Sequence, residues 1–167
     1  MITDYDVYTA FILFLACVLG AILGYVMNRS HKTLERVPFF FLYTVNCFVF
    51  YVLEYKADLL LQIINVQQPL FTAIIVAIPL FFWVFVSMYL AVFRARDAFG
   101  QKSAAFLILI PVLSLMLMTF RVENNYQGEI IRDPIPTPQF MNGWIGFIVT
   151  IIIMFLPIKI LLYLNVF

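Results

Sequence analysis

Residues 69–93, PLFTAIIVAIPLFFWVFVSMYLAVF, contain no charged side chain. As an α-helix this stretch is roughly 37 Å long at about 1.5 Å per residue, enough to cross a hydrocarbon core of about 30 Å. No water is available there to the peptide groups, so a crossing segment must satisfy them internally, and helix is the solution. Four further apolar stretches are read in the same way. They cover residues 8–27, 37–53, 103–120 and 143–164, which together with 69–93 make five expected spans. Alternating apolar and polar residues of the barrel type are lacking. The expected fold is therefore all-α, a polytopic transmembrane helical bundle in a single membrane domain.

Composition points the same way. The chain has 167 residues, 65% hydrophobic and 11% charged, with a mean hydropathy of +1.03. A soluble domain is about a quarter charged, and one core of this size could not hide so much apolar surface. The net charge of +1 lacks the basic face that nucleic acid requires. Cys17 and Cys47 each lie within an apolar run and are read as reduced, buried thiols rather than a disulfide framework. The acidic start, Asp4 and Asp6, lacks the basic region of a secretory signal, so the first apolar run is expected to be retained as a helix.

Orientation follows from the connections. Arg29, Lys32 and Arg36 lie between the first two runs; Arg94, Arg96 and Lys102 lie between the third and fourth. With five spans both groups face one side, which the positive-inside rule makes cytoplasmic. The opposite side then receives Asp4, Asp6, Glu54, Asp58, Glu123, Glu129 and Asp133 against Lys56, Arg121 and Arg132. The expectation is an N-terminus outside and a C-terminus inside. Residues 58–66 either extend the second helix or lie along the outer surface as an amphipathic turn. Residues 121–141 form the one sizeable loop, on the outer side. Its alternate prolines Pro134, Pro136 and Pro138 favour an extended, polyproline-like path and suggest a contact arm.

Few residues suggest chemistry. Ala16, Gly20 and Gly24, at four-residue spacing, form a groove that admits another helix closely, from this chain, a second copy or another subunit. Asn46, in the middle of the second span, needs a hydrogen-bond partner and is read as glue between helices. Glu54 and Asp58 stand one turn apart and could share an ion, although an interfacial charge cluster is the simpler reading. Lys159 can snorkel to the inner headgroups. The cations Arg29, Lys32, Arg36, Arg94, Arg96 and Lys102, with Asp97, are expected at the inner surface as lipid or partner contacts. Pro79, Pro111 and Pro157 fall inside spans and are read as kinks. His31 is the sole histidine and sits in a basic loop, which excludes a multi-histidine metal site and haem held by histidine within the bundle. The sequence has no nucleophile elbow, no Cys-x-x-Cys pair and no phosphate loop. Neither catalysis nor a cofactor is expected, although apolar binding of a quinone or pigment stays open.

Arg94-Ala95-Arg96-Asp97-Ala98-Phe99-Gly100, the Ile110-Pro111 helix, and Asn124-Asn125-Tyr126-Gln127-Gly128 together resemble a family of small bacterial inner-membrane proteins of unknown function. That family carries an Arg-Arg-Leu-His-Asp-x-Gly motif before an apolar helix containing Pro, followed by Asn-Arg-Tyr/Phe-Gly. Aligned on Asp97, this chain has Arg96 at the family's His and Phe99 at its Gly. The resemblance covers about a fifth of the chain and implies a bacterial inner membrane, with no activity attached. The functional expectation is a non-catalytic accessory or assembly subunit of a larger membrane complex. Its partners would be the lipid bilayer and other membrane subunits or a second copy. The alternative is a small homo-oligomeric transporter or channel.

Overall fold

The computed structural model describes residues 4–64, 69–119 and 134–163. They form an all-helical bundle with five α-helices: α1 (Asp4–Met27), α2 (Arg36–Ile64), α3 (Pro69–Phe99), α4 (Pro111–Thr119) and α5 (Gly143–Tyr163). Short 3-10 helices over Lys102–Leu109 and Gln139–Met141 precede α4 and α5. Within α1, α2 and α3, the stretches Val7–Met27, Arg36–Ala57 and Leu70–Phe99 are long and apolar enough to cross a membrane. This is a membrane protein by that measure, with large apolar side chains such as Phe11, Phe14, Ile22 and Phe82 turned outward.

Two helices run parallel in the centre. Gly20 of α1 lies against the backbone of α3 at Phe81 and Phe85, and Gly24 lies one turn on, against Phe85 and Met88. Residue numbers rise together along both helices, so α1 and α3 point the same way. A methyl group on Gly20 would sit 2.7 Å from the Phe81 carbonyl oxygen, which is why only glycine permits this approach. Cys17, Ala21 and Tyr25 complete the same face of α1, packed with Val84, Met88, Ala91, Val92 and Ala95 of α3. Helix α2 packs on α3 in the opposite sense: Leu34 and Phe39 meet Phe93, whereas Phe50 stacks on Trp83 at 5.1 Å.

The expected second span, 37–53, is the first part of a longer helix. α2 continues through Glu54 and Asp58 to Ile64, so 58–66 is a continuation of that helix, as far as Ile64, rather than a separate surface turn. Residues 65–66 lie outside the described residues. Pro38 is accommodated because the first turn of a helix needs no amide hydrogen there.

The expected fourth span, 103–120, is not one helix. Gly100 ends α3 with φ 69°, its amide donating to the Arg96 carbonyl oxygen at 3.0 Å, a left-handed helix end that glycine adopts without strain. Ile110 is extended, with φ −111° and ψ 113°, because the residue before a proline is pushed out of the helical region. Pro111 thus starts α4 rather than kinking a span. The chain also turns back here. The Leu117 carbonyl oxygen accepts a hydrogen bond from Arg94 Nε at 2.7 Å, and both Ala105 and Leu117 pack into the cluster around Ala91, Val92 and Ala95. Residues 102–119 therefore begin and end beside the last turns of α3.

That geometry also relocates the proline arm. The amide of Ile135 donates to the Thr33 carbonyl oxygen at 3.0 Å, and Thr33 pairs with Pro134 in an isolated bridge. Pro134 and the basic 28–35 connection hence share one end of the bundle, contrary to the expected placement on opposite sides. Helix α5 starts from that same end, with Phe140 edge-on to Phe41 at 5.9 Å, and runs alongside α2.

Candidate functional site

The polar centre of the molecule lies at the C-terminal end of α3, where α1 ends and α2 begins. Asn28 follows the last residue of α1 and is fully buried, a helix-end position that favours Asn. Its Nδ2 donates to the Tyr89 carbonyl oxygen at 2.9 Å. Arg96 donates through Nη1 to Asn28 Oδ1 at 3.1 Å and to the Ser30 carbonyl oxygen. The amide of Leu34 donates to the Phe93 carbonyl oxygen at 3.2 Å. The 28–35 connection is thereby tied across the end of α3.

Deeper still, Arg94 is 1% exposed and Asp97 3%. They form an ion pair one helical turn apart, and Arg94 adds the bond to Leu117 that holds α4 in place. Taking two charges out of water is costly, and hydrogen bonds to the remaining donors offset that cost. The expectation that Arg94 and Asp97 contact lipid or a partner at the inner surface is therefore corrected: burial turns them into an internal tie. The other cations differ. Arg29, Lys32 and Arg36 are exposed. Lys102 lies 4.1 Å above the Tyr25 ring, and Tyr25 also meets Phe106 at 4.9 Å. The Lys102 ammonium is held below its ordinary range, first by burial and then by the nearby charges of Arg96 and Arg29.

Two recesses open at this end. An apolar groove of about 600 Å³ between α2 and α5 is lined by Arg36, Val37, Phe40, Thr119, Gly143, Trp144 and Phe147. A smaller polar recess of about 220 Å³ is lined by Glu35, Arg36, Val37, Arg94 and Asp97. Arg36 and Val37 belong to both, so the two adjoin.

Other expected residues lie away from this end. Asn46 bridges α2 to α3, its Nδ2 donating to the Trp83 carbonyl oxygen at 3.1 Å and to Ser87 Oγ at 2.9 Å, which matches a role as glue. Replacing Asn46 with leucine is expected to lower stability by about 1 kcal/mol, read as a small drop in the melting temperature of the detergent-solubilised protein. Gly20 and Gly24 are occupied by α3, and Ala16 is half-buried one turn before them. Of the three occupants left open for that groove, the one observed is a helix of the same chain. Glu54 is exposed on α2; the side chains of Asp58 and Lys159 lie outside the described residues. Pro134, Pro136 and Pro138 are all exposed, with Pro138 at φ −56° and ψ 149°, the polyproline conformation anticipated. Cys17 and Cys47 are free, half-buried thiols.

Asn28, Glu35, Trp144 and Phe147 were not legible as site residues. For Asn28 alone a signal existed, an Asn at a helix C-terminus. Compared with protein families, curated proteins and solved structures, the chain matches none.

Proposed function

We propose that this chain is a non-catalytic accessory or assembly subunit of a larger membrane complex, in a bacterial inner membrane. The observation that carries this reading is α5. Of its residues from 143 to 156, only Gly146, Val149, Thr150 and Ile153 turn inward to any degree, a narrow stripe at helical spacing. Thr150 bonds within its own helix, to the Gly146 carbonyl oxygen at 2.7 Å. Trp144, Ile145, Ile148, Ile152 and Phe155 all face outward, a broad apolar surface suited to another membrane helix. The transporter alternative draws less support, since Asn46 is already engaged between α2 and α3 and Glu54 points away from the bundle. Gentle solubilisation followed by identification of co-purifying proteins tests the proposal. Stoichiometric recovery with unrelated subunits is the expected result. A homogeneous species of its own copies, with ion flux abolished by Glu54→Gln, sinks it.

The same reading carries a revised orientation of four crossings, α1, α2, α3 and α5. Arg29, Lys32, Arg36, Arg94, Arg96 and Lys102 gather at one end, which the positive-inside rule makes cytoplasmic. The hydrogen bonds from Arg94 to Leu117 and from Ile135 to Thr33 support keeping residues 102–119 and 134–142 at that end. Helix α5, roughly 31 Å long at about 1.5 Å per residue, then returns outward, so that it ends on the side where α1 begins. Single cysteines at Lys32 and Pro136, in a background lacking Cys17 and Cys47, are expected to react with an impermeant maleimide from the cytoplasmic side only. A cysteine at Glu54 should react only from the outside. Labelling of Pro136 and Lys32 from opposite sides would restore the five-span arrangement.

A further inference from the structure

We infer that the α2–α5 groove and the polar recess beside it form one site for a phospholipid whose headgroup carries both a phosphate and an ammonium group. The inference is independent of the subunit proposal and rests on how charge is distributed around Arg36. The floor of the recess, Arg94 and Asp97, is a pair of opposite charges already joined to each other, with Arg94 Nε spent on Leu117. The floor therefore adds almost no net charge. What lines the recess besides is Glu35 and Arg36, one anion and one cation on adjacent, exposed residues.

Those two residues sit at the start of α2. The Glu35 carbonyl oxygen accepts from the Phe39 amide at 3.0 Å, so Glu35 caps the helix and Arg36 opens it. The first turn of a 29-residue helix presents the positive end of its dipole, with amides from Arg36 and Val37 alone because Pro38 has none. A phosphate is held there by the Arg36 guanidinium and by that helix end. A primary ammonium on the same headgroup donates to the Glu35 carboxylate, and both contacts are charge-assisted. A purely anionic headgroup would instead meet the Glu35 carboxylate without compensation.

The acyl portion has its own place. The adjoining groove of about 600 Å³ falls within the roughly 300–1,000 Å³ typical of small-molecule sites. Its walls are Val37 and Phe40 from α2 and Phe147 and Trp144 from α5. Trp144, 81% exposed, is an amphipathic ring of the kind enriched where headgroups meet acyl chains.

The test uses the full chain, purified in mild detergent and analysed by native mass spectrometry after addition of phosphatidylethanolamine or phosphatidylglycerol with identical acyl chains. One phosphatidylethanolamine is expected to stay bound per chain, retained about tenfold better than phosphatidylglycerol, a difference of about 1.4 kcal/mol. Arg36→Gln and Glu35→Gln are each expected to abolish that preference, and Trp144→Ala to weaken retention of both lipids. All three side chains are exposed, so lipid-free melting temperatures should match the parent. If Arg36→Gln fails to fold, Trp144→Ala still decides the matter. Glycerophosphoethanolamine, the headgroup without acyl chains, should not displace the lipid at equal concentration. Equal or better retention of phosphatidylglycerol, unchanged retention in Trp144→Ala, or displacement by the free headgroup overturns the inference.

Discussion

Replacing Arg94 with alanine is expected to destabilise the protein by about 3–5 kcal/mol, the usual consequence of leaving a buried charge without its partner. The residue is 1% exposed and serves two elements at once: the Asp97 carboxylate within α3 and the Leu117 carbonyl oxygen in α4. Without the guanidinium, Asp97, 3% exposed, keeps its charge at the floor of a narrow recess after losing that cation, and the last turn of α4 loses its attachment. The signature is specific. Arg94→Met combined with Asp97→Leu removes both charges and is expected to recover most of the loss, because well-packed apolar residues often replace a buried pair without penalty. Arg94→Lys should fall between, since a single ammonium lacks the fork that reaches two acceptors. Melting in mild detergent, followed by circular dichroism, reads all three. A single Arg94→Ala variant as stable as the parent would show that the pair is solvated and not an internal tie.

The second large effect is steric. Gly24→Leu is expected to cost about 3 kcal/mol or more, at the upper end for overpacked interfaces, because any Cβ at that position runs into the Phe85 carbonyl oxygen and neighbours Met88 at 3.1 Å. The obstacle is backbone and cannot rotate aside. Helix α1 would have to move away from α3, breaking the contacts of Cys17, Ala21 and Tyr25 and pulling Asn28 from Tyr89. Gly24→Ala should cost less, about 1–3 kcal/mol. Ala10→Leu, on an exposed position of the same helix, should change little. The same melting experiment separates them; since helix propensity alone would favour Gly24→Leu, a loss no larger than that of Ala10→Leu would mean that close approach at Gly24 does not govern stability.

Both predictions start from residues that stood out in the sequence, yet their meaning changed in different ways. Gly20 and Gly24 were recognisable as a groove because four-residue spacing is a property of one helix. Which helix fills the groove is a property of two. Arg94 and Asp97 looked like inner-surface charges because local reading places a charge at a helix end in headgroups or water. Gly100 ends the helix, Leu117 then comes back to Arg94, and residues 35–37 line the recess above the pair. Buried position converts the same side chains from lipid contacts into structural ties.

The single long apolar run at 69–93, the paucity of charge and the absence of barrel alternation were enough to require an all-helical membrane protein. In a bilayer each backbone group must be satisfied within its own segment, so that conclusion needs no knowledge of neighbours. The path of residues 102–119 and the placement of residues 134–142 needed such knowledge. An 18-residue apolar stretch interrupted by Ile110-Pro111 is long enough to cross on hydropathy alone. As far as Thr119 it returns to its starting end because Arg94 holds Leu117, 23 positions away, and Ile135 is held at the same end by Thr33, more than 100 positions away. Length and hydropathy are sums over neighbours in the chain, whereas the side on which a segment emerges depends on bonds to residues far away in it.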